Sequence, residues 1–252
     1  MKFKKILLLI GLLLSIFIIY VITIDKKIYY VALGDSLAVG QNPYGAIGYG
    51  YSDYISNYLG NNDMLEFYTK KFSNGGYRIT DLKRDIEDNK RILIDDKEIA
   101  IKQALAKSDI ITISIGVNDL FYKLGITNNI NFYIERIEDI YQYIDEIVED
   151  LDNLLKIIRT YANEDIILIG YYNPIVSLSN KDAETVENLF SYGNEKYKEI
   201  ADVYNAYYID IYSIFKNHPE YISNPLDVHP SLEGYEAIAH KIIELIEEKI
   251  LD

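Results

Sequence analysis

The chain contains no cysteine, and this one absence removes several kinds of chemistry. Without a thiol there is no disulfide, no thiolate ligand for a metal ion and no cysteine nucleophile. Attachment of a lipid to an N-terminal cysteine is excluded for the same reason. Any covalent chemistry in this protein therefore has to come from other side chains.

Histidine and basic residues are also scarce. The only histidines are His218, His229 and His240, so a mechanism that needs an imidazole base must choose among them. Lysine and arginine number 25 against 39 aspartates and glutamates, which gives a formal net charge of −14. This charge argues against nucleic acid as a partner, because a binder needs basic surface to neutralise phosphates. The sequence has neither a spacing typical of metal ligands nor a phosphate-binding loop, and no cofactor is expected.

The N-terminus has the pattern of a membrane element. Lys2, Lys4 and Lys5 precede Ile6–Ile24, an uncharged run of 19 residues. A helix of this length spans roughly 30 Å, about the thickness of a bilayer's hydrocarbon core. The run is longer than the apolar region of a signal peptide and is not followed by a small-x-small cleavage site. We therefore predict that residues 1–26 form an uncleaved signal anchor with one transmembrane helix.

The charges on either side of this run predict its orientation. Three lysines precede it, whereas Asp25 partly offsets Lys26 and Lys27 after it. By the positive-inside rule the short tail stays in the cytoplasm and residues 27–252 lie outside, attached to the cell membrane by a single span. Secretion after cleavage of the segment is the alternative.

Short apolar runs alternate with longer amphipathic patterns from residue 27 onward. This alternation predicts one three-layer α/β/α domain whose parallel sheet is connected by right-handed crossovers. The five predicted strands are 28–33, 65–72, 108–116, 165–174 and 206–211. The predicted helices are 48–60, 132–162, 182–205 and 231–251, with one more after a Gly-Gly turn in 73–82.

Polar residues follow several of these strands, at the edge of the sheet where parallel α/β proteins place their working residues. The first strand runs into Gly34-Asp35-Ser36, and the central strand runs into GVND, residues 116–119. The segments SNGGYRITDL (73–82) and NPLDVHPSLEGY (224–235) precede helices. Taken singly, each segment has a structural explanation in turn formation, helix capping or a positive φ.

Taken together, the four segments hold the groups that acyl transfer from an ester requires. The hydroxyl of Ser36 is a weak nucleophile until His229 accepts its proton. Asp227 is placed to fix the imidazole tautomer and to stabilise the imidazolium. The oxyanion of the tetrahedral intermediate needs hydrogen-bond donors, for which the backbone amides of Ser36 and Gly76 and the side chain of Asn118 are the candidates.

These four blocks resemble, in the same order, those of the GDSL or SGNH hydrolases. ALGDSLAVG matches the block of the nucleophile at Ser36, and SNGGYRITDL matches the oxyanion glycine at Gly76, with Gly75 as the adjacent alternative. GVND matches the oxyanion asparagine at Asn118, and DVHPSLEGY matches the base at His229. The resemblance implies a flavodoxin-like fold with a five-stranded parallel sheet and a serine esterase or lipase that needs no cofactor.

Two features depart from the family's pattern. Many members place the acid three residues before the histidine, where this chain has Leu226, and Asp227 is only two residues before His229. We expect Asp227 to serve through a different loop path, with a Ser-His dyad or Asp210 as alternatives. The run Gly34–Ala38 also lacks a complete G-x-S-x-G, which argues against the nucleophile elbow of α/β-hydrolases.

Other polar residues are given structural roles. Asp35 is interpreted as a turn former beside the nucleophile, and Asp119 as a group that orients local backbone. His218 is predicted to be exposed, and His240, in the middle of the last helix, to be structural.

The sequence therefore predicts a membrane-anchored serine hydrolase of acyl lipids, lysophospholipids or short acyl esters. The alternative within the same chemistry is an O-acetyl esterase that acts on envelope or extracellular polysaccharide. The alternative from a different class is a catalytically silent, membrane-tethered interaction module. The expected partners are an ester substrate and the membrane.

Overall fold

The computed structural model describes residues 27–125, 137–174 and 180–251. The described strands are Ile28–Gly34 (β1), Leu65–Thr69 (β2), Arg91–Ile94 (β3), Lys97–Ala100 (β4), Ile110–Ser114 (β5), Asp165–Ile169 (β6) and Tyr207–Ile209 (β7). The main sheet has the order β2-β1-β5-β6-β7 and every neighbouring pair in it is parallel. This confirms the five predicted strands and their parallel arrangement.

The helices pack on both faces of this sheet. They are Ser36–Val39 (α1), Tyr51–Asn61 (α2), Ile79–Glu87 (α3), Ile101–Lys107 (α4), Val117–Lys123 (α5), Ile137–Tyr161 (α6), Asn180–Val203 (α7), Tyr212–Asn217 (α8) and Leu232–Lys249 (α9). Tyr29, Val31 and Leu33 of β1 join a buried cluster with α3, α4, α6 and α7. Tyr30 and Ala32 point the other way, into a cluster with α2, α8 and α9. The alternation of side chains along β1 thus separates two cores, one on each face.

The register of the strands brings their carboxyl ends to one edge. Gly34 pairs with Ser114 at the ends of β1 and β5, and Ile113 pairs with Leu168 near the end of β6. The residues that follow these strands therefore leave the sheet side by side.

Some boundaries differ from the prediction. The strands predicted at 65–72, 108–116, 165–174 and 206–211 are all shorter in the structure. Beyond β6, Gly170 still donates its backbone N–H to Ile209 (3.0 Å), and the chain then leaves the sheet because β7 offers no further partner. A strand can therefore end before the apolar run in its sequence does, because the neighbouring strand has already ended. The predicted helix 132–162 is described from Ile137 onward, and its first residues lie outside the described part of the chain.

A small hairpin was not predicted. Strands β3 and β4 pair antiparallel apart from the main sheet, and Asp95 and Asp96 join them with φ angles of 48° and 60°. Two positive φ angles are what a two-residue type I′ turn needs. The hairpin is largely exposed, and its longest apolar run within a strand, Ile92–Ile94, is shorter than the runs that marked β1, β5 and β6.

Within residues 27–125, 137–174 and 180–251, none of the helices has the length and apolar character to cross a membrane. The transmembrane helix predicted at about 6–24 lies outside these residues.

Candidate active site

The chain turns sharply between β1 and α1, and this turn presents Ser36. Gly34 has φ = +134°, and a Cβ atom on it would overlap the carbonyl oxygen of Ser114 on the neighbouring strand. Only glycine is compatible with both constraints. Asp35 then caps α1 by accepting a hydrogen bond from the backbone of Leu37 (3.0 Å), which leaves half-buried Ser36 as the first helical residue.

Asp35 is a buried carboxyl group that fixes this turn. Its side chain and backbone both contact β5, since its N–H donates to the carbonyl of Ser114 (3.0 Å) and its Oδ1 lies 3.4 Å from the Ser114 hydroxyl. Burial raises the pKa of Asp35 to about 7. The interpretation of Asp35 as a turn former agrees with these contacts.

The loop before α9 brings Asp227 and His229 together. Nδ1 of His229 lies 2.6 Å from Oδ1 of Asp227, and the same oxygen accepts the backbone N–H of His229 at 2.8 Å. A carboxylate only accepts, so Nδ1 carries the proton and Nε2 is left with a free lone pair. His229 is 8% exposed, and its Nε2 has no hydrogen-bond partner among the described residues. This buried basic nitrogen is ready to accept a proton.

Tyr172, which follows β6, contacts this loop through its hydroxyl group. Its hydroxyl donates to the carbonyl of Val228, the residue between Asp227 and His229. Its ring stacks on Phe215 of α8, with ring centroids 4.1 Å apart. Beyond the loop, Ser231 caps α9 by accepting from Gly234 (3.2 Å), as one structural explanation of this segment predicted.

Asn118 and the Gly75-Gly76 turn are joined by a hydrogen bond. Asn118 lies in the first turn of α5, and its Nδ2 donates to the carbonyl of Tyr77 at 3.0 Å. Gly76 is exposed and has φ = +76°, with space around the position of a Cβ. An amide nitrogen has a second hydrogen, so Asn118 keeps one donor for a ligand.

Two tyrosines contact the residues that precede α5 and fix the start of this helix. The hydroxyl groups of Tyr171 and Tyr197 both donate to the carbonyl of Ile115, at 2.9 and 3.0 Å, and contact each other. They fill the space that a side chain on Gly116 would need, and Gly116 has φ = +110°. The sequence analysis missed this pair, since nothing in its local pattern distinguishes it from the other 23 of the chain's 25 tyrosines.

Asp119 acts over a longer distance than predicted. Its carboxylate accepts the backbone N–H of Ile79 at 3.0 Å and so ties α5 to the start of α3, 40 residues earlier. Burial raises the pKa of Asp119 to about 6. It orients backbone, as expected, but the backbone of another segment.

The remaining candidates lie elsewhere. Asp210 lies just before α8 and accepts hydrogen bonds from the backbone N–H of Tyr212 (2.9 Å) and the hydroxyl of Ser213 (2.7 Å). His218 is exposed, as predicted, and contacts Glu220 at 2.9 Å. The prediction of a structural role for His240 is wrong. Its side chain is 72% exposed because it lies on the solvent face of α9.

Ser36 and His229 line one apolar cavity, of about 120 Å³, between the sheet edge and helices α5, α6 and α7. The helices contribute aliphatic and aromatic side chains: Val117, Leu120, Phe121, Ile140, Ile144, Ile147, Val186, Leu189, Phe190 and Tyr197. The apolar stripe of α6 predicts an amphipathic helix, but it does not tell whether that face packs in the core or lines a cavity. Its helical spacing is the same in either role, so only the tertiary structure separates them.

One edge of this parallel sheet carries a serine, an imidazole paired with a carboxylate and an asparagine amide. These are the groups that hydrolysis of an ester requires. Residues 32–237 match the model of the GDSL-like lipase/acylhydrolase family, and the chain therefore belongs to that family. This confirms the resemblance carried by the four sequence blocks. The chain is a carboxylic ester hydrolase of the GDSL type.

One lipase sequence and two solved structures are similar to this chain. The spore germination lipase LipC of Bacillus licheniformis is 29% identical over 225 residues, which cover 84% of this chain and 93% of the lipase. A lipase from a goat rumen metagenome has the same fold, with a TM-score of 0.68, 23% identity and coverage of 88% of this chain and 99% of that chain. A catalytic mutant of the acetylxylan esterase Axe2 from Geobacillus stearothermophilus has a TM-score of 0.62 at 21% identity and covers 88% and 95%.

Among the described residues, no three histidine, aspartate or glutamate side chains are grouped as a metal site.

Proposed function

We propose that this protein hydrolyses esters of acyl chains longer than acetyl, with Ser36 as nucleophile, His229 as general base and Asp227 as the acid of the triad. The observation that carries the proposal is the cavity that Ser36 and His229 share. It is apolar along α5, α6 and α7, and its volume of about 120 Å³ is comparable to a cavity of about 150 Å³ that takes up benzene in another protein. An acetyl group needs much less space.

The proposed reaction follows from the atoms at the edge of the sheet. The Ser36 oxygen attacks the ester carbonyl carbon while its proton passes to Nε2 of His229. Asp227 stabilises the resulting imidazolium through Nδ1. The backbone amides of Ser36 and Gly76 and the side chain of Asn118 receive the oxyanion, and each such donor typically lowers the barrier by about 2.7–4 kcal/mol.

His229 then completes the cycle. It returns the proton to the departing alcohol as the C–O bond breaks, which leaves the acyl group on Ser36. Water, deprotonated by the same nitrogen, attacks this acyl-enzyme and releases the carboxylic acid. These steps use only side chains and water, so the proposed reaction needs no metal or cofactor.

A series of p-nitrophenyl esters from acetyl to palmitoyl tests this proposal on the full-length chain. Each buried CH₂ group is worth about 0.8 kcal/mol, so kcat/KM should rise about tenfold or more from acetyl to hexanoyl and vanish in Ser36→Ala. Activity confined to acetyl esters would instead favour the O-acetyl esterase that acts on polysaccharide. Absence of turnover in the folded wild type would favour the silent interaction module.

We also propose that the protein is anchored in the cell membrane by residues 1–26, with the hydrolase domain outside the cytoplasm. The lysines before the apolar run and its length of 19 residues support this location. Fractionation of cells, with protease added to intact spheroplasts, tests it. We expect full-length protein in the membrane fraction and digestion of the domain from outside. Release of a shortened form into the medium would instead show cleavage and secretion.

A further inference from the structure

A glycine lies in the middle of a long helix beside the cavity. Gly193 is buried in α7, which runs from Asn180 to Val203. Apart from proline, glycine is the least favourable residue in a helix interior, because it loses the most backbone freedom on folding. Its presence at this position therefore calls for a physical reason.

The two usual reasons for a glycine do not apply. Gly193 has no φ in the left-handed range, so its backbone conformation suits any residue. A Cβ built on it would meet, as its nearest atom among the described residues, Cγ2 of Ile144 at 3.9 Å, an ordinary van der Waals distance. Gly116 and Gly170 are different, because tyrosine hydroxyl groups already occupy the place of a side chain there. A methyl group at position 193 would therefore fit in ordinary van der Waals contact with Ile144.

Position 193 borders the cavity that contains Ser36. Gly193 lines it together with Phe190 and Tyr197, which lie one turn before and one turn after it on the same face of α7. Ile144 faces Gly193 from α6 and lines the same cavity. Any side chain at position 193 would take up cavity volume between these two helices.

We infer that Gly193 is a specificity-determining residue, whose missing side chain admits the longer acyl chains. The inference rests on the proposed function, because it concerns the acyl group that Ser36 would carry. Replacing Gly193 shortens the space for the chain without touching Ser36, His229 or Asn118. Discrimination by acyl length should therefore change while the chemistry on short esters stays.

The test uses Gly193→Ala and Gly193→Leu, with Gly60→Ala and Gly60→Leu as controls at an exposed glycine in the last turn of a helix. Gly60 is also a helical glycine, in α2, and the nearest atom to its Cβ position is Cδ2 of Leu65, again at 3.9 Å. It does not line the cavity. Both control substitutions thus change helix propensity and bulk without entering the cavity.

We expect kcat/KM for p-nitrophenyl acetate to stay within about twofold in all four variants. For the octanoyl ester we expect a loss of about tenfold or more in Gly193→Leu, a smaller loss in Gly193→Ala and no change in the Gly60 variants. Gly193→Ala should also raise Tm by about 2–4 °C, because alanine favours the helix and the space is free.

Three results would count against the inference in different ways. Wild-type activity on both esters in Gly193→Leu, with a wild type that prefers octanoyl, overturns the role of Gly193 alone. Equal loss on both esters, or a lower Tm in Gly193→Ala, shows that the residue serves packing instead. A wild type that hydrolyses only acetyl esters overturns the proposed acyl preference, and the role of Gly193 with it.

Discussion

At the scale of single residues, the spacing of Asp227 and His229 is the feature that departs most from the family's pattern. Asp227 stands two positions before His229 instead of three, and one of its carboxylate oxygens accepts from both the backbone N–H and the ring Nδ1 of His229. One oxygen of Asp227 thereby fixes both the backbone and the ring of His229. Leu226, at the spacing that is usual in the family, is 86% exposed.

We predict that Asp227→Asn is less damaging than His229→Ala. An asparagine amide facing Nδ1 favours the tautomer with the proton on Nε2, which is unable to accept from Ser36, so kcat should fall roughly 10⁴-fold. His229→Ala removes the base itself, and a loss on the order of 10⁶-fold is expected. Steady-state kinetics on a short acyl ester measure both values. The opposite ranking would mean that the carboxylate matters more than the base it orients.

The buried carboxyl of Asp35 predicts a pH dependence of stability. Its pKa is raised from 3.8 to about 7, so between these values the folded state binds the proton more tightly than the unfolded state. The contribution of the Asp35 carboxyl to the free energy of unfolding is on the order of a few kcal/mol. It is fully present below about pH 4 and is lost as the pH rises toward 7. Relative to wild type, Asp35→Asn should therefore be more stable at pH 8 than at pH 5, because it has no carboxyl to ionise.

Urea unfolding of both proteins across this range gives the comparison. The asparagine oxygen still accepts from the backbone of Leu37, so the cap of α1 remains in the variant. A difference in unfolding free energy that does not change between pH 5 and pH 8 would contradict the raised pKa. Asp119, with a pKa raised to about 6, is present in both proteins and contributes with the same sign in each, and its charge also helps to raise the pKa of Asp35.

At the scale of elements, strand ends do most of the positioning. The pairing of Gly34 with Ser114 places the starts of α1 and α5 side by side at the edge of the sheet. It therefore also sets the positions of Ser36 and Asn118. Apolar runs with a glycine at or just after their end made these strands predictable. The hairpin β3–β4, which lies apart from the main sheet, was harder to predict because its longest apolar run is only three residues, and the bounds of β7 were harder because that strand has only three residues.

Tyr172 links the end of β6 to the loop that carries Asp227 and His229. We predict that Tyr172→Phe lowers kcat about tenfold. The carbonyl of Val228 loses its hydrogen-bond donor, and the imidazole of His229 is then held less firmly in position. The cost to Tm should be about 2–4 °C, the effect of one hydrogen bond in a chain of this size. Tyr58→Phe, which removes an exposed hydroxyl contact with Glu247, is the control and should leave kcat unchanged. A variant at position 172 with wild-type kcat would show that packing alone positions the loop.

At the scale of the whole molecule, the site is assembled from segments far apart in the chain. The polar groups were predictable because each stands in a short block of its own, from Ser36 to His229. The walls of the cavity were not, since Ile144, Leu189 and Phe190 look like ordinary core positions and face the cavity only once α6 and α7 have packed. The same packing leaves the gap at Gly193 that we connect with acyl length.

The central claim is that Ser36 is the nucleophile, and covalent labelling tests it most directly. The full-length chain is incubated with a fluorophosphonate, digested and analysed by mass spectrometry while residual esterase activity is followed. We predict one phosphonyl group, on the peptide that contains Ser36, formed in step with the loss of activity and absent from His229→Ala. Full inactivation with the label on another residue, or full activity with Ser36 labelled, would contradict the assignment.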